Sequence, residues 1–408
     1  MKLRVAVVFG GNSTEHEISV ISAVQAMHAF DREQYDIIPV YMTKDGLWYT
    51  GKELEDISAY QGDISATLKR NMQVDWVREG KDVLLVQHEK KRFGAPFTQA
   101  VDIAFPIVHG TNVEDGTLTG FLATMGLPVV GCDVLSAAVG MDKYVQKAVL
   151  KDNGIPVLPC ACYSWKDYED EDAVIADAEQ RFSYPMIVKP LNLGSSIGIS
   201  MAADREGLAE ALELAFSFAK KILVEPAIKN LKEVNCSVLG DYEEASASEC
   251  ESPLGADEIL SFEDKYMAGG GAKGAKGASA KTAGAAKTGG AKGSKGSGMA
   301  SLSRKLPADI SPEKREEIRR LAVKAFHSLG CAGVVRIDFL MDLDDGEKVY
   351  LNEFNTVPGS LSFYLWEASG LPYRELLTRM IEIALKKERE DAKVITSFDT
   401  NVLAQARV

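Results

Sequence analysis

Two short stretches near the end of the chain carry the residues best able to do chemistry, Arg336-Ile337-Asp338-Phe339 and Glu353-Phe354-Asn355. Alternate side chains on a strand share a face, so Arg336 and Asp338 point one way while Val335, Ile337 and Phe339 point the other. Glu353 and Asn355 share a face in the same manner. Asp344-Asp345-Gly346 supplies the turn that folds one strand back on the other. Two carboxylates, an amide and a guanidinium then converge. Carboxylates beside an apolar core are costly unless a cation neutralises them. Oxygen-only ligands suit magnesium, which keeps waters and bridges substrate phosphates. The pattern alone also fits an exposed hairpin with solvated charges.

Three further groups have chemical potential. Val188-Lys189-Pro190 reads as a strand delivering a lysine, followed by the small loop Gly194-Ser195-Ser196-Ile197-Gly198. A lysine there can hold a phosphate as a point charge, and the loop can cover phosphates with its N–H groups. An ordinary turn with a surface lysine fits equally, and no G-x-x-x-x-G-K-[ST] P-loop occurs anywhere. Glu15-His16-Glu17 lies at the first strand–helix junction. Acids there either complement the helix macrodipole or, for Glu15, receive the ammonium of an amino-acid substrate. His109-Gly110, at another strand end, lines the same crevice. Asp142-Lys143, inside a helix, by itself reads as a solvated pair.

The elements that must position these groups are legible from periodicity. Residues 5–9 and 36–41 read as buried strands around a helix carrying Ile18, Ile21, Val24 and Met27. That opening predicts a parallel, doubly wound α/β unit with its ligand beyond the strands' carboxyl ends. Residues 104–108 form another strand, 133–153 one helix ended by Gly154, and 185–190 and 222–226 two further strands. From 334 to 354 the pattern turns antiparallel. Domain boundaries fall near 132 and 225. They give units 1–132, 133–225 and 226–385, with a Gly/Ala/Ser/Lys run at 268–298 that cannot bury a core and is expected to be a flexible loop. Residues 386–408 read as a polar tail.

Bulk properties narrow the function classes. The chain has 408 residues and a formal net charge of -13, which argues against nucleic acid or an anionic membrane as partner. Its six cysteines include no C-x-x-C pair, so a reduced compartment is expected rather than a zinc site or disulfide framework. No apolar stretch reaches the roughly 18 residues of a membrane helix, and the opening apolar run is too short for a signal peptide. A cytoplasmic protein is expected.

In order, these motifs resemble the D-alanine–D-alanine ligase family of the ATP-grasp superfamily. The resemblance runs from Gly10 to about residue 385. It rests on Gly10-Gly11-x-Ser13-x-Glu15-His16-Glu17-Ile18-Ser19, His109-Gly110 with Glu114-Asp115-Gly116, Met141-Asp142-Lys143, Val188-Lys189-Pro190 with Gly194-Ser195-Ser196, Asp264-Lys265-Tyr266, Arg336-Ile337-Asp338-Phe339 and Glu353-Phe354-Asn355-Thr356-x-Pro358-Gly359. The resemblance implies an α/β and α+β architecture: a Rossmann-like N-terminal domain, then two ATP-grasp subdomains with ATP between them. It implies that two D-alanines are joined through a D-alanyl phosphate for peptidoglycan synthesis, with release of ADP and phosphate.

Residue roles follow from the same resemblance. Lys143, Lys189 and Ser196 would hold ATP phosphates, Glu225 the adenine amino group and Glu233 the ribose, while Lys265 would cover the γ-phosphate. Asp338, Glu353 and Asn355 would bind two magnesium ions, with manganese an alternative. Glu15, Ser195 and Tyr266 would form a hydrogen-bonded set beside the first D-alanine, near His109. Arg336 and the Gly359 N–H would hold the tetrahedral oxyanion. A homodimer is also implied.

Two departures concern the acceptor. The family's serine for the second carboxylate aligns without gaps to Tyr364, with Ser360 and Ser362 nearby, and the family's glutamine after Glu-Asp-Gly is Thr119. Ser360 or Ser362 is expected to take over the contact. The alternatives are that the Tyr364 phenol itself clamps the acceptor's carboxylate, that the same mechanism takes another acceptor, D-lactate or D-serine, or that the chain is a non-catalytic nucleotide-binding protein.

Overall fold

The computed structural model describes residues 2–89, 95–194, 196–253 and 304–397. Three sheets organise them. The first contains β1 (Leu3–Gly10), β2 (Tyr35–Met42), β3 (Trp48–Thr50), β4 (Met72–Glu79), β5 (Asp82–Gln87), β6 (Thr98–Val101) and β7 (Ile103–Pro106), in the order β6-β5-β4-β3-β2-β1-β7. β1 is parallel to β2 and to β7. From β2 onward the sheet continues as an antiparallel meander. The expected wholly parallel unit is therefore corrected to a mixed sheet. Short, half-buried strands such as β3 and β6 carry too little apolar periodicity to show in sequence.

β1 is buried on both faces, which is why its sequence is continuously apolar. Val5, Val7 and Phe9 join one core with Ala23 and Met27 of α1 (His16–Ala29). Ala6 and Val8 join a second with Leu118 and Leu122 of the helix Thr117–Thr124. The last helix among the described residues, Tyr373–Asp391, returns to the first of these cores through Leu376, Leu377, Met380 and Ile381. It also runs six residues into the stretch expected to be tail. Lys386 there pairs with Asp241 and Glu243, and residues 386–391 are mostly strong helix formers.

The second sheet contains β8 (Ala161–Ser164), β9 (Met186–Pro190), β10 (Ser200–Ala202) and β11 (Lys221–Pro226), ordered β10-β9-β11-β8 and antiparallel throughout. Helices Glu171–Arg181 and Arg205–Phe218 cover it through Val174, Ala178, Leu208 and Leu212. The third contains β12 (Leu231–Gly240), β13 (Ala245–Pro253), β14 (Arg304–Lys305), β15 (Gly333–Asp342) and β16 (Lys348–Asn355), ordered β14-β13-β12-β15-β16. Its apolar face, with Val234, Ile337, Phe339 and Leu351, packs on Ile318, Leu321 and Phe326 of the helix Pro312–Ser328.

Between first and second sheets the expected single helix 133–153 is two, Val134–Met141 and Lys143–Asp152. Asp142 breaks it. Its backbone is extended and its carboxylate accepts from the N–H groups of Tyr144 and Val145 at 3.0 and 2.9 Å, so it caps the second helix. The break puts Lys143 at a helix start, where its N–H donates to the Leu191 carbonyl at 3.2 Å. Among the described residues no helix is long and apolar enough to cross a membrane.

Candidate active site

The β15–β16 hairpin sets the centre. Arg336 lies opposite Asn355 and Asp338 opposite Glu353; the register then slips, so that Phe339 faces Leu351. The slip is a bulge at Asn352, which puts Asn352 and Glu353 in succession at half-buried positions between buried Leu351 and Phe354. Arg336 grips Asp338 with two bonds, Nε to Oδ1 at 2.7 Å and a terminal nitrogen to Oδ2 at 2.8 Å. Burial opposes the guanidinium's charge, but Asp338 overrides it and raises its pKa. Asn355 donates its Nδ2 to Asp338 at 3.0 Å, which turns its amide oxygen the other way.

Two buried lysines reach this hairpin, and a third buried lysine lies behind them. Lys143 pairs with Glu353 at 2.9 Å and donates to the Leu193 carbonyl at 2.6 Å. Lys189 reaches the bulge residue Asn352 at 3.1 Å and also pairs with Glu225. Lys147, one helical turn after Lys143, pairs with the other Glu225 oxygen at 2.9 Å. Burial alone would raise the Glu225 carboxyl, but the two lysines hold it at about 2. Glu225 is thus an anion clamped between two cations, and Lys147 and Asn352 are site residues that motif reading missed. The signal for Lys147 was its i,i+4 spacing from Lys143, which puts both on one helix face.

At the first sheet's carboxyl end, Glu15 is the N-cap residue of α1 and is buried. Two glycines make room for it. A Cβ on Gly110, whose φ is +84°, would lie 3.0 Å from a Glu15 carboxylate oxygen, and one on Gly194 would lie 2.8 Å away. The His109-Gly110 turn and the Gly194 loop therefore converge on Glu15. His109 is turned away from open space: its Nε2 meets the Ser22 hydroxyl at 2.9 Å and its ring also bonds the Val357 carbonyl. Ser22 in turn accepts from the Ser360 N–H at 2.9 Å. Glu114 accepts from the N–H groups of Gly110 and Val357 and from the Thr356 hydroxyl at 2.9, 3.0 and 3.1 Å. His109 and Glu114 thus tie the first sheet's loop to the segment that carries Gly359.

Gly359–Ser362 forms one short helical turn in which Ser360, Leu361 and Ser362 all have left-handed φ, 53°, 52° and 49°. Each such non-glycine residue costs on the order of 1 kcal/mol, and strain of this kind collects at functional sites. The hydroxyls of Ser360 and Ser362 are buried without a hydrogen-bond partner. Tyr364 is committed elsewhere, its hydroxyl donating to Glu251 at 2.9 Å. Glu233 lies half-buried on β12 opposite Leu340. Ser196 adopts φ +57° in the loop after Gly194. Ser195, Lys265, Tyr266 and the run 268–298 lie outside the described residues.

Family models described as the D-ala D-ala ligase N-terminus and C-terminus match residues 4–132 and residues 149–287 with 294–382. The chain belongs to the D-alanine–D-alanine ligase family. Among curated relatives, the D-alanine–D-alanine ligase of Caldicellulosiruptor bescii is 38% identical over 400 residues, 96% of this chain and 98% of the relative. That of Thermosipho melanesiensis is 36% identical, covering 98% of each. Among solved structures, the D-alanine–D-alanine ligase of Coxiella burnetii aligns with a TM-score of 0.76 at 27% identity, covering 99% of each chain. The VanG D-Ala:D-Ser ligase of Enterococcus faecalis gives 0.72 at 28%, covering 94% of this chain and 100% of that one. The fold is accordingly the ATP-grasp fold of these ligases.

ATP and a divalent cation belong to the family's chemistry. Among the described residues no three His, Cys, Asp or Glu side chains cluster as a metal centre. Two carboxylates and the outward amide oxygen of Asn355 nevertheless make an all-oxygen set that fits a hard cation completed by phosphate oxygens and water.

Buried His109 and half-buried Glu114, at the inter-sheet junction, link pH to stability. Burial depresses His109 to about 4 from an ordinary 6.5, so its effect is lost stability as pH falls from about 6.5 to 4. Burial and the Glu15 carboxylate push Glu114 up to about 7 from 4.5, so its effect is lost stability as pH rises from 4.5 to 7. The stability of wild type minus that of Glu114→Gln should therefore fall between pH 5 and 7 in urea unfolding. A difference that stays constant across that window would show Glu114 to be ionised throughout.

Proposed function

We propose that this chain joins two D-alanines into D-alanyl-D-alanine for peptidoglycan synthesis, as a cytoplasmic enzyme and a homodimer. The observation that carries this reading is the turn 359–362. It presents two buried serine hydroxyls without partners near the Gly359 N–H, in the segment that continues from Asn355 beside Arg336. Such hydroxyls can donate to an acceptor's carboxylate, while Arg336 and the Gly359 N–H take the tetrahedral oxyanion. Units 1–132, 133–225 and 226–385 are proposed to correspond to the three sheets, with ATP between the second and third.

In this reading the ammonium of the first D-alanine sits at Glu15, and its carboxylate attacks the γ-phosphoryl group of ATP to give D-alanyl phosphate and ADP. The amine of the second then displaces phosphate from the acyl carbon. Lys143 and Lys189 exchange their present carboxylate partners for phosphate oxygens, with Ser196 beside them and Glu225 turned to the adenine amino group, Glu233 to the ribose. Ser195, Tyr266 and Lys265 take the roles that the resemblance implies. Asp338, Glu353 and Asn355 would hold two magnesium ions, which disperse charge on the transferring phosphoryl group when bound.

The test is product analysis with D-alanine, D-serine and D-lactate as acceptors. ADP and phosphate should appear only with D-alanine and a divalent cation present, and D-alanine should be the best acceptor. Ser362→Ala or Ser360→Ala should raise the acceptor KM by about tenfold to a hundredfold, the worth of a charge-assisted hydrogen bond, while sparing ATP. AMP and pyrophosphate as products would refute the acyl phosphate. A preference for D-serine or D-lactate would refute the acceptor.

A further inference from the structure

Beside the acceptor turn lies a buried unit that the reaction as described does not use. Glu251, on β13, is almost fully buried. One of its oxygens accepts from Arg304 at 2.7 Å, the other from the Tyr364 hydroxyl at 2.9 Å and from Asn235 at 3.4 Å. The Arg304 guanidinium lies over the Tyr364 ring, 3.9 Å from its centre. Arg304 is held by strand pairing, since β14 consists of Arg304 and Lys305 set against Pro253 and Ser252. Tyr364 is two residues past Ser362, in the first turn of the helix Phe363–Ala368, which packs on β13. The Arg336 guanidinium lies near enough for the Glu251 charge to favour its protonated form.

These contacts bear on charge. The acceptor brings a carboxylate into the neighbourhood of Ser362, and the tetrahedral intermediate adds an oxyanion at Arg336. A buried Glu251 with no counter-cation would repel both and draw down the positive potential of Arg336. Like charges set against each other in a desolvated site weaken binding strongly. Arg304 cancels that charge, and by stacking on Tyr364 it fixes the ring behind the serine turn.

We propose that Arg304 is a positioning residue for the acceptor, neutralising Glu251 and holding Tyr364 so that Arg336 and the serine turn present an anion-receptive pocket. This rests on the ligase reading given above. It adds two residues, Arg304 and Glu251, that no sequence motif singled out, and gives Tyr364 a role as wall rather than clamp.

The test is a charge rescue. Steady-state rates are measured for wild type, Arg304→Gln, Arg304→Lys, Glu251→Gln and the double variant, varying ATP and D-alanine separately. Arg304→Gln should raise the acceptor KM by about tenfold or more with the KM for ATP nearly unchanged, and Arg304→Lys should stay near wild type. The double variant, with no uncompensated charge left, should recover to within about threefold of wild type. A merely structural salt bridge would lower stability in Arg304→Gln and move both KM values or neither, not the acceptor KM alone. A double variant as impaired as Arg304→Gln overturns the proposal, as does Arg304→Gln raising both KM values together. Should Arg304→Gln fail to fold, the double variant and Arg304→Lys decide alone: an acceptor KM near wild type in both supports the proposal, a raised one in the double variant overturns it. A wild type that forms no dipeptide removes the ligase reading and this inference together, whereas an active wild type with an unaffected Arg304→Gln removes only this inference.

Discussion

Glu353→Gln should lower turnover on the order of a thousandfold at saturating ATP, with only a modest drop in the unfolding midpoint of the nucleotide-free protein. Glu353 is half-buried and its contact with Lys143 can be kept by an amide oxygen, so the loss falls on charge dispersal at the transferring phosphoryl group. Asp338→Asn should lose activity to a similar extent but should also be less stable. Asp338 is the carboxylate that neutralises the buried Arg336 guanidinium, and removing one partner of such a pair costs about 3–5 kcal/mol. Turnover across a magnesium titration, beside urea unfolding, separates the two. If Glu353→Gln stays within about tenfold of wild type at saturating metal, the proposed metal set is wrong.

The second large effect is expected at Glu225. Its replacement by glutamine leaves Lys147 and Lys189 buried without a counter-charge, and the loss should be about 3–5 kcal/mol. Adding Lys147→Met to Glu225→Gln should restore part of that loss, because one of the stranded charges disappears. Urea unfolding of the three proteins checks this. A loss below about 1 kcal/mol for Glu225→Gln would mean that the lysines find water or other partners on their own.

Strongly patterned elements were the legible ones. The continuous apolar run of β1 and the alternation of β15 and β16, which puts Arg336 with Asp338 and Glu353 with Asn355 on shared faces, could be read directly because period and burial coincide. Local rules failed where the structure depends on one side chain or on distant packing. The break at Asp142 needs its carboxylate to outcompete the helix, which composition alone does not reveal. The bulge at Asn352 shifts the register by one residue and brings a second polar side chain to Lys189, and no periodicity announces it. The return of the helix Tyr373–Asp391 to the first core joins residues more than 300 apart in sequence. His109 and Glu114 were visible as motif residues, but their bonds to Ser22, Thr356 and Val357 depend on two sheets meeting.

Helix α1 has a thermodynamic consequence beyond its place in the first sheet. Glu15 stands at its N-cap position, and two turns later Ser22 accepts from the Ser360 N–H in the serine turn. On the proposed reading, one helix therefore borders both the donor's ammonium pocket and the acceptor's turn. A shift of α1 that tightens the grip on the donor's ammonium also moves the bond that holds the acceptor's turn. Any such coupling is reciprocal: the factor by which donor occupancy changes acceptor affinity equals the factor by which acceptor occupancy changes donor affinity. Shortening Ser22 to alanine removes the bond while leaving both pockets' contact groups in place, so the two D-alanine affinities should become independent of each other.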